Sequence, residues 1–112
     1  MIRTAWTADR ITLVEAQLST LTAATALGFK DRVLELIEAG HNLLVIDLAA
    51  VRIVDASGIG ALVSLLKRIG VRGEVALCGL SESVMQMFRI TRMDRVFAIH
   101  SDSSHAVEAL GG

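Results

Sequence analysis

The sequence contains no proline and no tyrosine, and it has a single cysteine, Cys78. Without prolines, low-complexity tracts or a linker, residues 1–112 are expected to form one domain. One cysteine excludes an intrachain disulfide and a multi-cysteine metal site. Cys78 ends the apolar run Val75–Cys78, and this run predicts a buried, unreactive thiol in a strand. Aromatic residues make up only 4% of the chain, so Leu, Ile, Val and Ala must form most of the core.

The sequence also lacks an excess of charge of one sign. Its 11 basic and 12 acidic residues give a formal net charge of -1, so no global field attracts it to nucleic acid or anionic lipid. The apolar stretches at 43–54 and 59–66 are too short, or too interrupted by charge, to span a bilayer. The first residues lack the basic and then apolar pattern of a secretory signal. We therefore expect a cytoplasmic protein with no nucleic-acid partner and no membrane insertion.

The apolar fraction of 53% is arranged in alternating strand and helix patterns. The predicted strands are Ile2–Trp6, Arg10–Gln17, Leu43–Leu48, Glu74–Cys78 and Arg95–Ile99. The predicted helices are Thr22–Ala39, Ser57–Ile69, Ser81–Phe88 and Ser101–Leu110. The order β-β-α-β-α-β-α-β-α predicts an α/β fold with a mostly parallel sheet of four to five strands and about four flanking helices.

The segment Val51–Leu62 places an acid and a serine where a strand region ends and a helix begins. Free N–H groups at a helix start suit a phosphate or a carboxylate, and Gly58 and Gly60 permit close approach of a ligand or a backbone. The simpler alternative is that Asp55 or Ser57 only caps the helix and that the glycines serve helix–sheet packing. Both interpretations stay open at this point.

The helix that follows has more apolar surface than a core-facing helix needs. Its apolar side chains fill an arc of roughly 200°, against a little over ~100° for an ordinary surface helix. The surplus falls on Ile59 and Val63 at one edge, or on Ala61 at the other. Either a protein-binding surface or coverage by another helix accounts for it.

Other arrangements give no enzymatic or metal site. His41, His100 and His105 are scattered and have no cysteine or acidic cluster beside them. Ser57 lacks the Gly-x-Ser-x-Gly context of hydrolases, and the two glycines lack the rest of a nucleotide-binding motif. We predict no catalytic residue, no metal and no cofactor. A further cluster is either a second docking patch or ordinary core methionines with solvated arginines: Met85, Met87, Arg89, Arg92, Met93 and Arg95.

The segment Asp55–Leu62, preceded by Leu44–Leu48, resembles the signature of STAS domains, which include bacterial anti-sigma-factor antagonists and the cytoplasmic domains of sulphate transporters. The resemblance covers nearly the whole chain and includes Gly73–Ser81 and Phe88–Phe97. It implies a mixed sheet flanked by helices and a function exerted by docking on a partner. It also implies a partner-binding surface at these positions: Thr22, Asp55, Ala56, Ser57, Gly58, Ile59, Gly60 and Val63.

The sequence departs from the signalling members of this family at two positions. In those members a hydroxyl residue directly after the acid is phosphorylated by a serine kinase that doubles as an anti-sigma factor. Here that position is Ala56, and Ser57 matches the second hydroxyl, which is not the usual acceptor. Thr22 replaces an acid that usually lies beside the phosphorylation site. The resemblance therefore implies a docking surface without the phosphorylation switch.

Three functions follow as hypotheses. The first is a non-catalytic regulator that resembles an anti-sigma-factor antagonist and docks on an anti-sigma factor or serine kinase of the histidine-kinase-like ATPase type, as a monomer or weak dimer. The second is a STAS subunit that binds the ATPase of a lipid-transport complex. The third, a small-molecule or nucleotide sensor, has no supporting residue set.

Overall fold

The structure is a computed structural model that describes residues 2–6 and 10–111. Its strands are β1 (Ile2–Trp6), β2 (Thr12–Ala16), β3 (Thr20–Leu21), β4 (Leu43–Asp47), β5 (Ile53–Val54), β6 (Glu74–Cys78) and β7 (Ala98–His100). Its α-helices are α1 (Ala26–Glu38), α2 (Ala56–Ile69), α3 (Glu82–Ile90) and α4 (Ser103–Gly111). Short 3-10 turns at Gly70–Arg72 and Met93–Arg95 follow α2 and α3.

The main sheet has five strands in the order β1-β2-β4-β6-β7. Strand β1 is antiparallel to β2, and the other neighbours are parallel. The predicted α/β class and the mostly parallel sheet are confirmed. Strand β4 lies at the centre, as its continuous apolar run predicts for a strand covered on both faces.

The two faces of this sheet are covered unequally. The larger core contains Phe29 from α1, Leu62 from α2 and Phe88 from α3, packed on the side of the sheet to which Leu44 and Ile46 point. The smaller core, on the opposite side, includes Ile11, Val45, Ala76, Cys78 and Ala106, the last from α4. Three helices therefore share one face, and α2 lies among them.

Two short strands were not predicted. Strands β3 and β5 pair in parallel through Thr20↔Ile53 and Leu21↔Val54 and form a separate two-stranded sheet. Two residues are too few to show the alternation that identifies a strand in a sequence. This small sheet holds the chain segments that enter α1 and α2.

The predicted start of α1 requires correction. Helix α1 begins at Ala26 and not at Thr22, because Thr22 lies in a turn closed by Thr25. The Thr25 hydroxyl accepts from the Thr22 N–H at 3.0 Å and donates to the Thr20 carbonyl at 2.8 Å. At α4, the carboxylate of Asp102 accepts from the N–H of His105 at 2.9 Å, so Asp102 caps the helix, which begins at Ser103 within its predicted span.

The last strand also lies later than its pattern predicts. Arg95 belongs to a 3-10 turn, and β7 begins at Ala98. Phe97, which is buried, packs edge-on against Phe88 with ring centroids 6.0 Å apart. No helix within residues 2–6 and 10–111 is long and apolar enough to cross a membrane.

Candidate functional site

The start of α2 is organised by the Asp55 side chain. One carboxylate oxygen accepts from the Gly58 N–H at 3.1 Å, which caps the helix. The other accepts from the Ala23 N–H at 3.2 Å, in the turn before α1. A single carboxylate therefore joins the beginnings of two helices and satisfies two backbone donors. Asp55 acts as a structural cap and bridge, which is the simpler of its two sequence interpretations.

Gly58 has a packing requirement that explains its presence. A Cβ atom at this position would overlap the carbonyl oxygen of Leu21, which is backbone and cannot turn aside. The same carbonyl accepts from the Asp55 N–H at 3.3 Å. Strand β3 thus lies directly against the first turn of α2, and Gly58 permits this distance.

Gly60 has no such requirement. A Cβ atom built there meets no atom of the described chain within 4 Å, and its φ is not positive. A glycine inside a helix costs about 1 kcal/mol relative to alanine. Neither packing nor backbone conformation within residues 2–6 and 10–111 explains this cost, so Gly60 differs from Gly58 two residues earlier.

Gly60 lies in a groove between α1 and α2. The groove has a volume of about 430 Å³. Its lining residues are Ala23, Ala26, Leu27, Lys30, Ser57, Gly60, Ala61 and Ser64. The Ser64 hydroxyl donates to the Gly60 carbonyl at 3.0 Å and therefore stays within its own helix. The outer side of the first turns of α2 presents small side chains along an open groove.

The eight residues expected at a partner surface divide by exposure. Ala56, Ser57 and Gly60 are exposed. Thr22, Asp55 and Val63 are half-buried, with Val63 packed against the larger core, and Gly58 is buried. The structure therefore brings the segment together, but only part of it faces outward.

The expectation that Ile59 forms an exposed apolar edge is wrong. Only 7% of its surface is accessible, and it belongs to the larger core. Ala61, at the opposite edge of the apolar arc, is 6% accessible. Helix α2 is packed among other helices, so its wide apolar arc is mostly covered, as the alternative interpretation requires.

Sequence reasoning missed two residues of α1 that border this site. Leu27 is 63% exposed although it is large and apolar. The Lys30 side chain also lines the groove. Because α1 has a clear core-facing stripe that includes Phe29 and Val33, the only sequence signal for Leu27 is its position outside that stripe.

The charged groups of α4 form a separate cluster on another surface. The His105 ring nitrogen Nδ1 lies 2.8 Å from the Asp102 carboxylate and 3.2 Å from the Ser101 hydroxyl. Hydrogen bonding to Asp102 raises the pKa of His105, and the His105 backbone N–H lowers the pKa of Asp102. Because Ser101 and Asp102 share one nitrogen, they do not form the relay of a Ser-His-Asp triad.

Cys78 is fully buried, as its apolar run predicts. Burial, together with the charges of Asp47 and Asp102, raises the pKa of its thiol to about 12. The thiolate that reacts with electrophiles is therefore scarce at neutral pH. Among the described residues, no three His, Cys, Asp or Glu side chains are grouped so as to hold a metal ion.

Known structures share this fold. A candidate anti-sigma factor antagonist from Thermotoga maritima is 26% identical, with a TM-score of 0.86 over 97% of this chain and 93% of that one. A STAS-domain anti-sigma-factor antagonist protein from Planctomyces limnophilus is 23% identical, with a TM-score of 0.88 over 99% and 98%. The phosphorylated Bacillus cell fate determinant SpoIIAA is 12% identical, with a TM-score of 0.70 over 97% and 98%. The last two likenesses establish the fold.

The sequence itself matches a family over most of its length. The match is to the STAS domain and extends from residue 5 to residue 106. It includes the small β3–β5 sheet, the Asp55 cap and the α1–α2 groove. The chain therefore belongs to the STAS domain family.

Proposed function

We propose that this chain is a non-catalytic regulatory module that docks on an anti-sigma factor of the serine-kinase type, in the manner of an anti-sigma-factor antagonist. The observation that carries the proposal is the outward face at the start of α2. Ala56, Ser57 and Gly60 are exposed there beside an open groove. Three small residues on the capped first turns of a helix favour close approach of another protein surface over chemistry on a small molecule.

The role of Asp55 supports binding over catalysis. Both of its carboxylate oxygens accept backbone hydrogen bonds. A general base must instead reach a proton on a substrate. Asp55, the one acid of this segment, therefore stabilises the backbone that forms the docking surface.

The same geometry supports docking without a phosphorylation switch. The position that directly follows the acid is Ala56, which has no hydroxyl to accept a phosphate. Ser57 lines the α1–α2 groove, and successive helical residues point about 100° apart. A kinase that phosphorylates the first helical position would therefore find the methyl group of Ala56 there, and the hydroxyl of Ser57 would point in another direction. We infer a constitutive antagonist that acts in transcription regulation in the cytoplasm.

The experiment uses the purified histidine-kinase-like ATPase encoded nearest to this gene, together with ATP and intact-mass measurement. The wild-type chain should bind this ATPase and gain no phosphate. Ala56→Ser should gain one, and Ala56→Ser combined with Ser57→Ala should still gain one, which places the modification at position 56. Ser57→Ala alone is the matched control and should behave like the wild type.

Two results would contradict the proposal. Stoichiometric phosphorylation of the wild type that disappears in Ser57→Ala would show a working switch at the second hydroxyl. Absence of binding to any ATPase of this type, together with tight binding to the ATPase of a lipid transporter, would favour the transporter subunit instead. That alternative, like the small-molecule sensor, stays a prediction of the sequence.

A further inference from the structure

A second groove lies between β5 and α3. Its volume is about 280 Å³. Its lining residues are Arg52, Ile53, Val54, Ser83, Gln86, Met87 and Ile90. The α3 residues recur at intervals of three and four, so they form one face of the helix. The Ser83 hydroxyl donates to the Arg52 carbonyl at 3.2 Å, which joins the two walls.

This groove exposes more large apolar surface than its position in the fold requires. Ile53 is 57% and Ile90 is 71% exposed, and Met87 between them is half-buried. Ile53 and Ile90 are two of the five large hydrophobic residues that are exposed in the described part of the chain. Single exposed hydrophobics are ordinary, whereas two that line one groove form a local apolar patch, and exposed apolar patches accompany interaction sites when they are extensive.

The charge of the groove is positive. Among the described residues that line the groove, Arg52 is the only charged one, and its side chain forms no ion pair with any of the described residues. Arg89, on the adjacent side of α3, is already paired with Glu82 at 3.0 Å. An occupant that complements this surface therefore carries an apolar side chain next to a carboxylate.

The groove adjoins, along the chain, the segment that forms the surface proposed above. Strand β5 forms one wall of the groove, and Val54 directly precedes Asp55, the cap of α2. The groove has seven lining residues, whereas a stable protein interface uses about 20–30 residues on each side. Alone it is too small to hold a second copy of this chain, but as an extension of the α2 surface it enlarges one interface.

We infer that the β5–α3 groove is a second contact for the same partner that docks at the start of α2, an inference that rests on the proposed function. The partner inserts a bulky apolar side chain between Ile53 and Ile90. An adjacent Asp or Glu of the partner pairs with Arg52. The start of α2 and this groove then belong to one continuous footprint, with Asp55 holding the boundary between them.

The test measures the affinity of the purified histidine-kinase-like ATPase for variants of the whole chain by isothermal titration calorimetry. Ile90→Ser and Arg52→Glu should each weaken binding by about tenfold or more, because the first removes an apolar anchor and the second reverses a charge. Arg52→Lys should retain most of the affinity. Both side chains are exposed, so the variants should keep their fold, which circular dichroism checks.

Matched controls change the same residue types elsewhere. Val71→Ser removes an exposed apolar side chain beyond the end of α2, and Arg72→Glu reverses a charge beside it; both should bind like the wild type. Ala56→Glu reports on the α2 surface itself. If Ala56→Glu abolishes binding while Ile90→Ser and Arg52→Glu bind normally, the groove is not part of the interface and the inference is overturned, although the proposed function stands. If the wild type does not bind the ATPase, the proposed function fails, and this inference fails with it.

Discussion

The inner and outer faces of the first turns of α2 differ in what their small residues do. On the inner face, Gly58 lies against the Leu21 carbonyl, where a Cβ atom does not fit. On the outer face, Gly60 has open space beside it and costs helix stability without improving any packing within the described residues. The inner face is explained by the fold, whereas the fold does not explain the small outer face, which the proposed function assigns to contact with a partner.

This difference shows how a segment of six residues, Asp55–Gly60, can meet two requirements. Asp55 and Gly58 hold α2 against the β3–β5 sheet and the turn before α1. Ala56, Ser57 and Gly60 are exposed on the helix that these contacts hold in place. Substitutions on the inner face should therefore change the free energy of unfolding, and substitutions on the outer face should change binding.

The largest expected effect is that of Gly58→Ala. The added methyl group would overlap a backbone carbonyl, so α2 must move away from β3 and the Asp55 cap must weaken. We expect a loss of about 3 kcal/mol in the free energy of unfolding, in spite of the better helix propensity of alanine. Urea denaturation followed by circular dichroism measures it. A variant as stable as the wild type would show that β3 does not hold α2 at this distance.

Removal of the Asp55 carboxylate should have the next largest effect. Asp55→Ala leaves the N–H groups of Gly58 and Ala23 without their acceptor, and we expect a loss of about 1–2 kcal/mol. Asp55→Asn keeps an amide oxygen at the cap and should lose less. The same denaturation experiment compares the three proteins. Equal losses in the alanine and asparagine variants would mean that the negative charge, and not the cap geometry, is what matters.

Gly60→Ala should change stability in the opposite direction. No described atom obstructs the new methyl group, and alanine favours the helix, so we expect a gain of up to about 1 kcal/mol. Gly60→Leu should also fold but fill the groove between α1 and α2, and it should weaken partner binding. A destabilised Gly60→Ala would end the distinction between the two faces, because it would give both glycines a structural role.

The smallest effect concerns the ion pair of α4, on the opposite side of the sheet from α2. The raised pKa of His105 means that its contribution is complete below its ordinary value of 6.5 and is lost as the pH rises through the folded-state pKa. The lowered pKa of Asp102 means that its contribution exists above 3.8 and is lost as the pH falls. Both side chains are largely exposed, so solvent screening keeps the stabilisation from this ion pair small.

The variant His105→Gln tests this pair. It should be less stable than the wild type between about pH 4 and 6.5, and the difference should shrink at higher pH. Urea denaturation at about pH 5.5 and about pH 8 compares the two proteins. A difference that grows towards pH 8 would contradict the pairing. Partner binding should not change, because α4 lies outside the proposed surface.

The sequence predicts the regular parts of this fold well because their patterns are local. The continuous apolar run of β4 and the helical spacing of α2 place both elements correctly. Strands β3 and β5 are not predicted, because a strand of two residues is too short to show an alternating pattern. They form by pairing with each other. The sequence also does not decide whether Ile59 is buried, since its burial depends on other elements that pack over an edge of α2.

The sequence predicts which residues form the site, but it does not predict the role of each one. The pattern Asp55–Gly60 predicts a helix start with a cap and close approach. It does not show that Asp55 also reaches Ala23, which is 32 positions away in the chain. Nor does it distinguish Gly58 from Gly60, because that distinction rests on which glycine faces β3.

The most direct test of the account is a map of the partner footprint by NMR. Isotope-labelled chain is titrated with the purified histidine-kinase-like ATPase, and the amide shifts are followed. The account predicts the largest changes at Ala56, Ser57 and Gly60 and in the α1 residues across the groove, with α4 unaffected. Changes confined to α4 and β7, with the start of α2 unaffected, would contradict it.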